Sequence, residues 1–200
     1  RYSEWIQSKY QIPLKEMEEI AKSFNPTQFN AEEIVKFAIS VGMKYLVITT
    51  KHHEGFCLFD SKVDDFNSKK MSICHRDLIK EFVDACNEGG IMPFFYHTLL
   101  DWYQPNYDKD FNSYLDYLYK SVEILCTKYG KIGGLWFDGY WNKPNADWKF
   151  DRLYQMIKKN LNSSFFYCII NVIRGDGMIL AFCDKSYIME IMFIRMIQKE

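Results

Sequence analysis

The chain has 200 residues, which is enough for one domain with a well-buried core. Apolar residues make up 48% and charged residues 26% of the chain, as in ordinary soluble globular proteins, and the net charge is -1. A nearly neutral chain lacks the basic field that binds nucleic acid and the polybasic patch that binds anionic membranes. No apolar run is long enough to span a bilayer. We therefore expect no nucleic-acid partner and no membrane partner.

The six cysteines form no CxxC pair and no cluster with histidines at zinc-ligand spacing. Cys86 and Cys126 lie on apolar faces of predicted helices, so we expect buried free thiols, which leave the redox compartment undefined. Arg1 lies inside a predicted element, and the first residue is not Met. We expect the natural N-terminus to be missing, so the localisation of this soluble chain, including any signal peptide, stays unknown.

Amphipathic helices and short apolar strands alternate four times along the chain. In the first unit, Asn30 and Glu33 have the spacing of a capping box at the start of a helix. The helical period predicts that its buried face consists of Ala31, Ile34, Val35, Ala38 and Ile39. The next three helices are predicted at residues 77–88, 110–129 and about 148–160, and the four strands at residues 44–50, 91–97, 134–138 and 165–172.

Strands that are almost continuously apolar indicate a parallel sheet buried on both faces and connected by helices. No Gly-rich phosphate loop follows any strand, so a dinucleotide or P-loop fold has no support. We predict an α/β fold of the (β/α)8 TIM-barrel type that is incomplete, with its first strand and later units missing. Residues 1–172 form the partial catalytic barrel domain, and residues 173–200 are an unassigned tail. Four such units leave two parallel edges unpaired.

Each predicted strand ends in polar or reactive side chains, and the carboxyl ends of barrel strands form the active site in such folds. The groups that follow the four strands are Lys51, His52, His53 and Glu54, then Tyr96, His97, Asp101 and Trp102, then Trp136 and Asp138, then Asn171. Their common placement predicts one site at this end of the barrel.

Asp138 is the most informative single residue, because it ends an apolar strand among Trp136, Phe137 and Tyr140. A carboxylate in this position is either a structural acceptor for backbone N–H groups or a catalytic group. Beside aromatic walls and two histidines, it suits attack on an anomeric carbon, in which Asp138 forms a covalent glycosyl ester. The aromatic content of 18% is typical either of a large aromatic core or of rings that stack on sugars.

His52 and His53 allow three interpretations. They could bind one metal ion with Asp138, as in a metallohydrolase, provided that they lie on an irregular loop. One could instead be a core histidine and the other a solvent histidine. As neutral imidazoles, both could also bind sugar hydroxyls.

Four segments in order resemble the α-L-fucosidases of glycoside hydrolase family twenty-nine. Residues 44–61, KYLVITTKHHEGFCLFDS, are similar to the family's signature, and their KHHEGF run is specific. Residues 4–5 resemble its EW pair, residues 95–97 with 100–102 resemble its YHS…LEW region, and residues 135–139, LWFDG, resemble the strand of its nucleophile. The resemblance covers roughly residues 1–172.

The resemblance implies a retaining exo-hydrolase that releases terminal α-L-fucose from fucosylated glycans or glycoproteins through a fucosyl-Asp intermediate, with no cofactor and no metal. It implies that Asp138 is the nucleophile. The residues implied to contact the fucose are Glu4, Trp5, His52, His53, Tyr96 and Trp136.

The chain also departs from the family pattern. The family's first barrel strand, with a sugar-binding histidine, is expected before Glu4 and is absent, and the acid/base Glu is not identified. Arg174 matches a family arginine poorly, and Glu190 is a candidate acid/base by position only. Two alternatives therefore stay open, a non-catalytic or vestigial fucose-binding barrel and a metal-dependent barrel hydrolase. Linkage preference and oligomeric state are not readable from the sequence.

Overall fold

The computed structural model describes residues 3–161, 167–170 and 180–182, with side chains for residues 4–161. After a 3-10 turn at Ser3–Trp5, the seven helices of this part are α1 Ile6–Tyr10, α2 Leu14–Ser23, α3 Ala31–Ser40, α4 Leu78–Gly89, α5 Asn106–Lys109, α6 Phe111–Lys128 and α7 Phe150–Leu161. The strands are β1 Tyr45–Lys51, β2 Met92–Thr98, β3 Gly134–Asp138, β4 Tyr167–Ile170 and β5 Leu180–Phe182. A second 3-10 turn spans Tyr140–Asn142. The four predicted helices and four predicted strands are confirmed, with boundary shifts of a few residues.

Side-chain caps explain where three of the long helices begin. Asn30 accepts a hydrogen bond from the Glu33 N–H at 3.1 Å at the start of α3, as the capping-box spacing predicts. Asp77 caps α4 and Asp110 caps α6 in the same way. Each cap pairs one of the N–H groups that a helix start leaves without an intrahelical acceptor.

The sheet has the order β1-β2-β3-β4-β5, and β1 to β4 run parallel to one another. The predicted α/β class with a parallel sheet is therefore confirmed. Strand β5 pairs with β4 in the antiparallel direction and lies within the tail that the sequence left unassigned. The expectation of two unpaired edges is wrong at β4, because β5 pairs with that edge. In the described sheet β1 and β5 are the outermost strands.

The two faces of the sheet differ in burial, because the helices pack on one of them. On that face Phe95, Leu135 and Phe137 join the main hydrophobic core. On the opposite face Val47 of β1 is 45% exposed. The prediction that the strands are buried on both faces is therefore wrong for the described part of the chain.

The predicted inner faces of α4 and α6 are confirmed. Their buried side chains include Leu78, Phe82, Ala85 and Cys86 of α4, and Leu115, Leu118, Val122, Leu125 and Cys126 of α6. Cys86 and Cys126 are free buried thiols, as expected. In the described part of the chain, no helix has the length and apolarity that a membrane span requires.

The predicted inner face of α3 is too wide. Ala31, Val35 and Ala38 are buried, but Ile34 is 42% exposed and Ile39 is 45% exposed. These two isoleucines flank the narrow strip of small side chains through which α3 approaches α4, where Val35 lies against Gly89. A helical period finds the centre of a buried face but not its width.

Replacing Leu118 with alanine tests the core beneath the sheet. Leu118 is fully buried in α6, so Leu118→Ala should lower the free energy of unfolding by about 2–5 kcal/mol through lost transfer energy and a residual cavity. Urea unfolding followed by circular dichroism measures the change. Leu14→Ala, at a residue that is 39% exposed, is the control and should cost less than about 1 kcal/mol. Equal losses in the two variants would contradict this account of the core.

Candidate functional site

A fully buried ion pair joins the end of β1 to the loop after β2. The Lys51 Nζ lies 2.8 Å from the Asp101 Oδ2, and both side chains are fully buried. Burial opposes the charged ammonium more than any other single influence, but the attraction of Asp101 together with that of Cys57 and Asp64 outweighs it and raises the pKa of Lys51. The Lys51 Nζ also lies 4.9 Å from the centre of the Tyr117 ring. This pair fixes the two loops that carry the candidate site relative to each other.

Backbone contacts complete the junction. The second oxygen of Asp101, Oδ1, accepts hydrogen bonds from the Tyr103 and Gln104 N–H groups at 3.0 and 3.1 Å. Gly55 has φ +88°, and a Cβ there would lie 2.5 Å from the Tyr103 Cβ and 2.8 Å from the Asp101 Oδ1. Only glycine allows the loop after β1 to approach Asp101 this closely.

His53 is held by the same junction. The ring is 1% exposed, and its Nδ1 lies 2.6 Å from the Thr98 Oγ1. The Thr98 hydroxyl itself donates to the Leu100 carbonyl oxygen at 2.6 Å. Because this hydroxyl proton is used, Thr98 accepts from His53, and the proton of the neutral ring lies on Nδ1. Burial, and then the charge of His52, lower the pKa of His53 to about 3.

Three tryptophans surround His53. The ring centres of Trp5, Trp102 and Trp141 lie 5.3, 5.5 and 5.6 Å from that of His53. Trp5 and Trp141 are stacked on each other at 6.3 Å with an interplanar angle of 25°. The 3-10 turn before α1 and the loops after β2 and β3 therefore supply one aromatic cluster, whose flat apolar faces suit a ring-shaped ligand.

The carboxylate at the end of β3 is bound by a neighbouring strand. The Tyr96 hydroxyl donates to the Asp138 Oδ2 at 2.9 Å. Burial, and then the adjacent Asp138, raise the pKa of Tyr96 well above its usual value, so the phenol remains a donor throughout the physiological range. His52 stacks on Tyr96 at 5.8 Å and lies 4.0 Å from His53, ring centre to ring centre. Tyr96 and His52 thus connect Asp138 to the aromatic cluster.

The backbone after Asp138 is also constrained. Gly139 has φ +95°, and a Cβ there would lie 2.7 Å from the backbone nitrogen of Leu100. The Leu99 N–H donates to the Asp138 carbonyl oxygen at 2.6 Å. The loops after β2 and β3 are therefore in direct backbone contact, and glycine is required at this contact.

The structure brings most of the predicted site residues to one end of the sheet. Trp5, His52, His53, Tyr96 and Asp138 form the connected group described above. Trp136 is the register partner of Tyr96, so the two side chains share a sheet face. Glu4 is exposed and lines a pocket together with His52.

Three residues in the expected cluster of strand-end groups have other positions. Lys51 and Asp101 bind each other in the fully buried ion pair and are not exposed at the site. His97 is fully buried on the helix-covered face, where its Nδ1 lies 2.8 Å from the Thr50 Oγ1 and its Nε2 lies 3.3 Å from the Ser121 Oγ. Burial, and then Lys51, hold the pKa of His97 well below its usual value. Asn171, Arg174 and Glu190 lie outside the described residues.

Sequence reasoning did not assign Thr98 or Trp141 to the site, and it named Trp102 among the strand-end groups but not among the fucose contacts. Thr98 follows His97 in the strand, and alternation places it on the opposite face, toward His53. Trp141 lies three residues after Asp138, which is a signal that could have been used. Trp102 is adjacent to Asp101, and the backbone N–H of Trp102 donates to the His53 carbonyl oxygen at 2.8 Å.

The metal-dependent alternative has no ligand set in the described residues. Among these, no group of three or more His, Cys, Asp and Glu side chains is arranged to hold a metal ion. The His53 Nδ1 is bonded to Thr98, and the His52 Nδ1 faces the Glu54 Oε2 at 3.4 Å. These contacts use the two Nδ1 atoms within the protein and leave no converging ligand set in the described residues.

Comparisons with known proteins show which proteins this chain is similar to. The family model described as "Alpha-L-fucosidase" matches residues 1–177. The human tissue alpha-L-fucosidase is 35% identical over 133 residues, 62% of this chain and 28% of that protein. Alpha-L-fucosidase 1 of Arabidopsis thaliana is 33% identical over 138 residues, 67% of this chain and 27% of that protein. The chain thus spans less than a third of the length of these two relatives.

A solved structure shares the fold. The alpha-L-fucosidase AlfC of Lactobacillus casei, in complex with its α-L-fucose product, has a TM-score of 0.76 and 33% identity. The match covers 84% of this chain and 59% of that one.

The buried ion pair can be tested by removing its charges singly and together. Lys51→Met should destabilise the protein by about 3–5 kcal/mol, because it leaves Asp101 buried without its counter-charge. The double variant Lys51→Met/Asp101→Asn should cost less than the sum of the two single changes. Urea unfolding measures all three, and Lys80→Met, at an exposed pair with Asp84, should change stability by less than about 1 kcal/mol. Strict additivity of the two changes would refute the ion pair.

The neutrality of His53 predicts a pH dependence. Its pKa in the folded protein, about 3, lies below the usual 6.5, so between these values the unfolded chain binds a proton that the folded chain does not. The contribution of His53 to stability is complete above about pH 6.5 and is lost as the pH falls toward 3. NMR titration of the imidazole should show no protonation from pH 8 to 5, whereas the urea-unfolded chain should titrate near 6.5. A midpoint near 6.5 in the folded protein would disprove the assignment.

Proposed function

The chain belongs to the α-L-fucosidase family, and from this premise we propose that its protein is a retaining exo-glycosidase that releases terminal α-L-fucose from fucosylated glycans or glycoproteins. One observation carries the proposal. Asp138 lies at the carboxyl end of a parallel strand, receives a hydrogen bond from Tyr96, and adjoins a cluster of two imidazoles and three indole rings. The Asp138 carboxylate beside hydrogen-bonding side chains and flat apolar walls suits a neutral sugar more than an anion or a nucleotide.

In the proposed reaction Asp138 is the nucleophile. A carboxylate oxygen of Asp138 attacks C1 of the fucose, the bond from C1 to the glycosidic oxygen breaks, and a covalent fucosyl ester forms with inversion at C1. The Tyr96 hydroxyl donates to the Asp138 Oδ2, so it helps to hold the carboxylate in one orientation. A water molecule then attacks C1 from the other face and gives one proton to the acid/base, the ester bond breaks, and fucose leaves with its original configuration. The acid/base that protonates the departing oxygen belongs to the whole protein, and we assign it to no residue of this chain.

The remaining residues of the site hold the sugar in this proposal. The neutral His53 has its proton on Nδ1, so its Nε2 can accept from a sugar hydroxyl. Trp5, whose ring packs against His53, and Trp136 supply apolar surface, while Glu4 and His52 bind further hydroxyls. We also propose that the parallel sheet forms part of a closed (β/α)8 barrel in the whole protein, as its structural relatives in this family suggest.

The second candidate function is a fucose-binding protein without turnover. It shares every binding residue named above, but Asp138 makes no attack on C1. It predicts fucose binding with no release of the leaving group, even from activated aryl fucosides, whereas the retaining enzyme predicts turnover of these substrates.

A fluorinated substrate tests the nucleophile in the full-length protein. With 2-deoxy-2-fluoro-α-L-fucosyl fluoride, Asp138 should displace the anomeric fluoride and accumulate as a fluorofucosyl ester, because the 2-fluoro group slows the hydrolysis of the ester. Mass spectrometry of the intact protein and of its peptides locates the adduct. Asp138→Asn should form no adduct and should lower the turnover of aryl fucosides by at least about 10⁴-fold.

Asp84→Asn is the matched control, since Asp84 is an exposed carboxylate on α4 that should leave labelling unchanged. An adduct on another carboxylate, or none with an active protein, would remove Asp138 from the nucleophile's role.

A further inference from the structure

Trp141 lies on a turn that is held in place from outside. The turn spans Tyr140–Asn142 and follows Gly139, which adopts a left-handed conformation. In the part of the chain that the structure describes, none of these three residues is fully buried and no side chain caps the start of the turn. Trp141 itself is 37% exposed. A short segment with so little buried surface opens easily, so its position depends on contacts with other elements.

One such contact comes from Tyr107 of α5. Its hydroxyl donates to the Asn142 Oδ1 at 2.9 Å. Tyr107 is 3% exposed, and its ring meets that of Tyr114 edge-on at 5.0 Å within the main hydrophobic core. Asn142 is exposed and follows Trp141 directly in the chain. The hydrogen bond therefore ties the residue next to Trp141 to the rigid core.

Lys143 gives a second contact to α5. Its Nζ lies 2.8 Å from the Asp108 Oδ1 and 4.7 Å from the centre of the Tyr107 ring. The Asp108 side chain is 81% exposed, and an ion pair with so exposed a partner contributes little. The bond from the buried Tyr107 is therefore the stronger constraint on the turn.

On its other side the turn completes the aromatic cluster. Trp141 stacks on Trp5 and meets His53 edge-on, so a displacement of the turn would remove one wall of the candidate site. A wall that is already in place lowers the ordering cost that binding must overcome.

We propose that Tyr107 is a positioning residue for fucose binding, which acts through Asn142 to hold Trp141 against Trp5 and His53. It takes no part in the attack by Asp138. The inference rests on the proposed function, because it assigns how one wall of that sugar site is kept in place.

Tyr107→Phe tests this role in the full-length protein, because it keeps the buried ring and removes only the hydroxyl. With para-nitrophenyl α-L-fucoside, KM should rise about 3–10-fold through the loss of one hydrogen bond. The value of kcat should stay near that of the wild type, because an aromatic wall supports the ground state and the transition state alike. Asn142→Ala should have the same effect, and the double variant should be no worse than either single one. Asn142→Asp keeps the acceptor oxygen and should keep the wild-type KM.

Tyr119→Phe is the matched control. Tyr119 is also buried, and its hydroxyl donates to the Trp148 and Lys149 carbonyl oxygens at 2.8 and 2.9 Å, at the far end of the same loop. This variant should lower the melting temperature at least as much as Tyr107→Phe does, but it should leave KM unchanged. An equal rise of KM in the two variants would reduce the role of Tyr107 to general stability of the loop and would overturn the inference.

Circular dichroism reports the position of Trp141 without substrate. Stacked indoles such as those of Trp5 and Trp141 give an exciton couplet in the far ultraviolet, which Trp141→Phe identifies by its loss. Tyr107→Phe should weaken this couplet, and Tyr119→Phe should retain it. An unchanged KM or an unchanged couplet in Tyr107→Phe would overturn the positioning role and leave the proposed function standing. A folded wild type that does not hydrolyse the aryl fucoside would overturn the proposed function, and this inference with it.

Discussion

The buried pairing of Lys51 with Asp101 is the constraint on which the candidate site depends. A lone charge in this position would be strongly unfavourable, so each of the two groups requires the other, and the loops after β1 and β2 are locked together. The consequences follow along the chain. The backbone N–H of Trp102, next to Asp101, donates to the His53 carbonyl oxygen, and the Thr98 hydroxyl binds the His53 ring at Nδ1. The charged pair Lys51–Asp101 thus holds the backbone in place, and the side chains that it helps to position, His53 and Trp102, are neutral.

Much of the fold was predictable from the sequence, because helical and strand periods are local properties. The capped start of α3, the inner face of α6 and the strand that ends in Asp138 could all be read directly. The exposure of Ile34 and Ile39 could not be predicted in this way, because the width of a buried helix face depends on which helix packs against it. The open face of the sheet likewise reflects which elements cover it, which no local pattern records.

The site was predictable in part for a related reason. Parallel strands bring their carboxyl ends together, so Asp138, Tyr96 and the two histidines were expected to meet. Strand alternation then separates neighbours, which is why His97 points into the helix-covered core while Thr98 reaches His53. Lys51 is a harder case. A lysine that precedes two histidines suggests a reactive group, and only its buried ion pair with Asp101 shows that its role is structural.

The enclosed imidazole of His53 has a consequence for acid tolerance. Its charge state is the same in a neutral medium and in a mildly acidic one, so a hydroxyl bound at Nε2 meets the same lone pair in both. At mildly acidic pH the His53 imidazole binds a proton in the unfolded chain but not in the folded chain. Acidification should therefore lower the free energy of unfolding before it changes this contact, and an acidic compartment would reduce the folded fraction of the protein more than it changes the chemistry of His53.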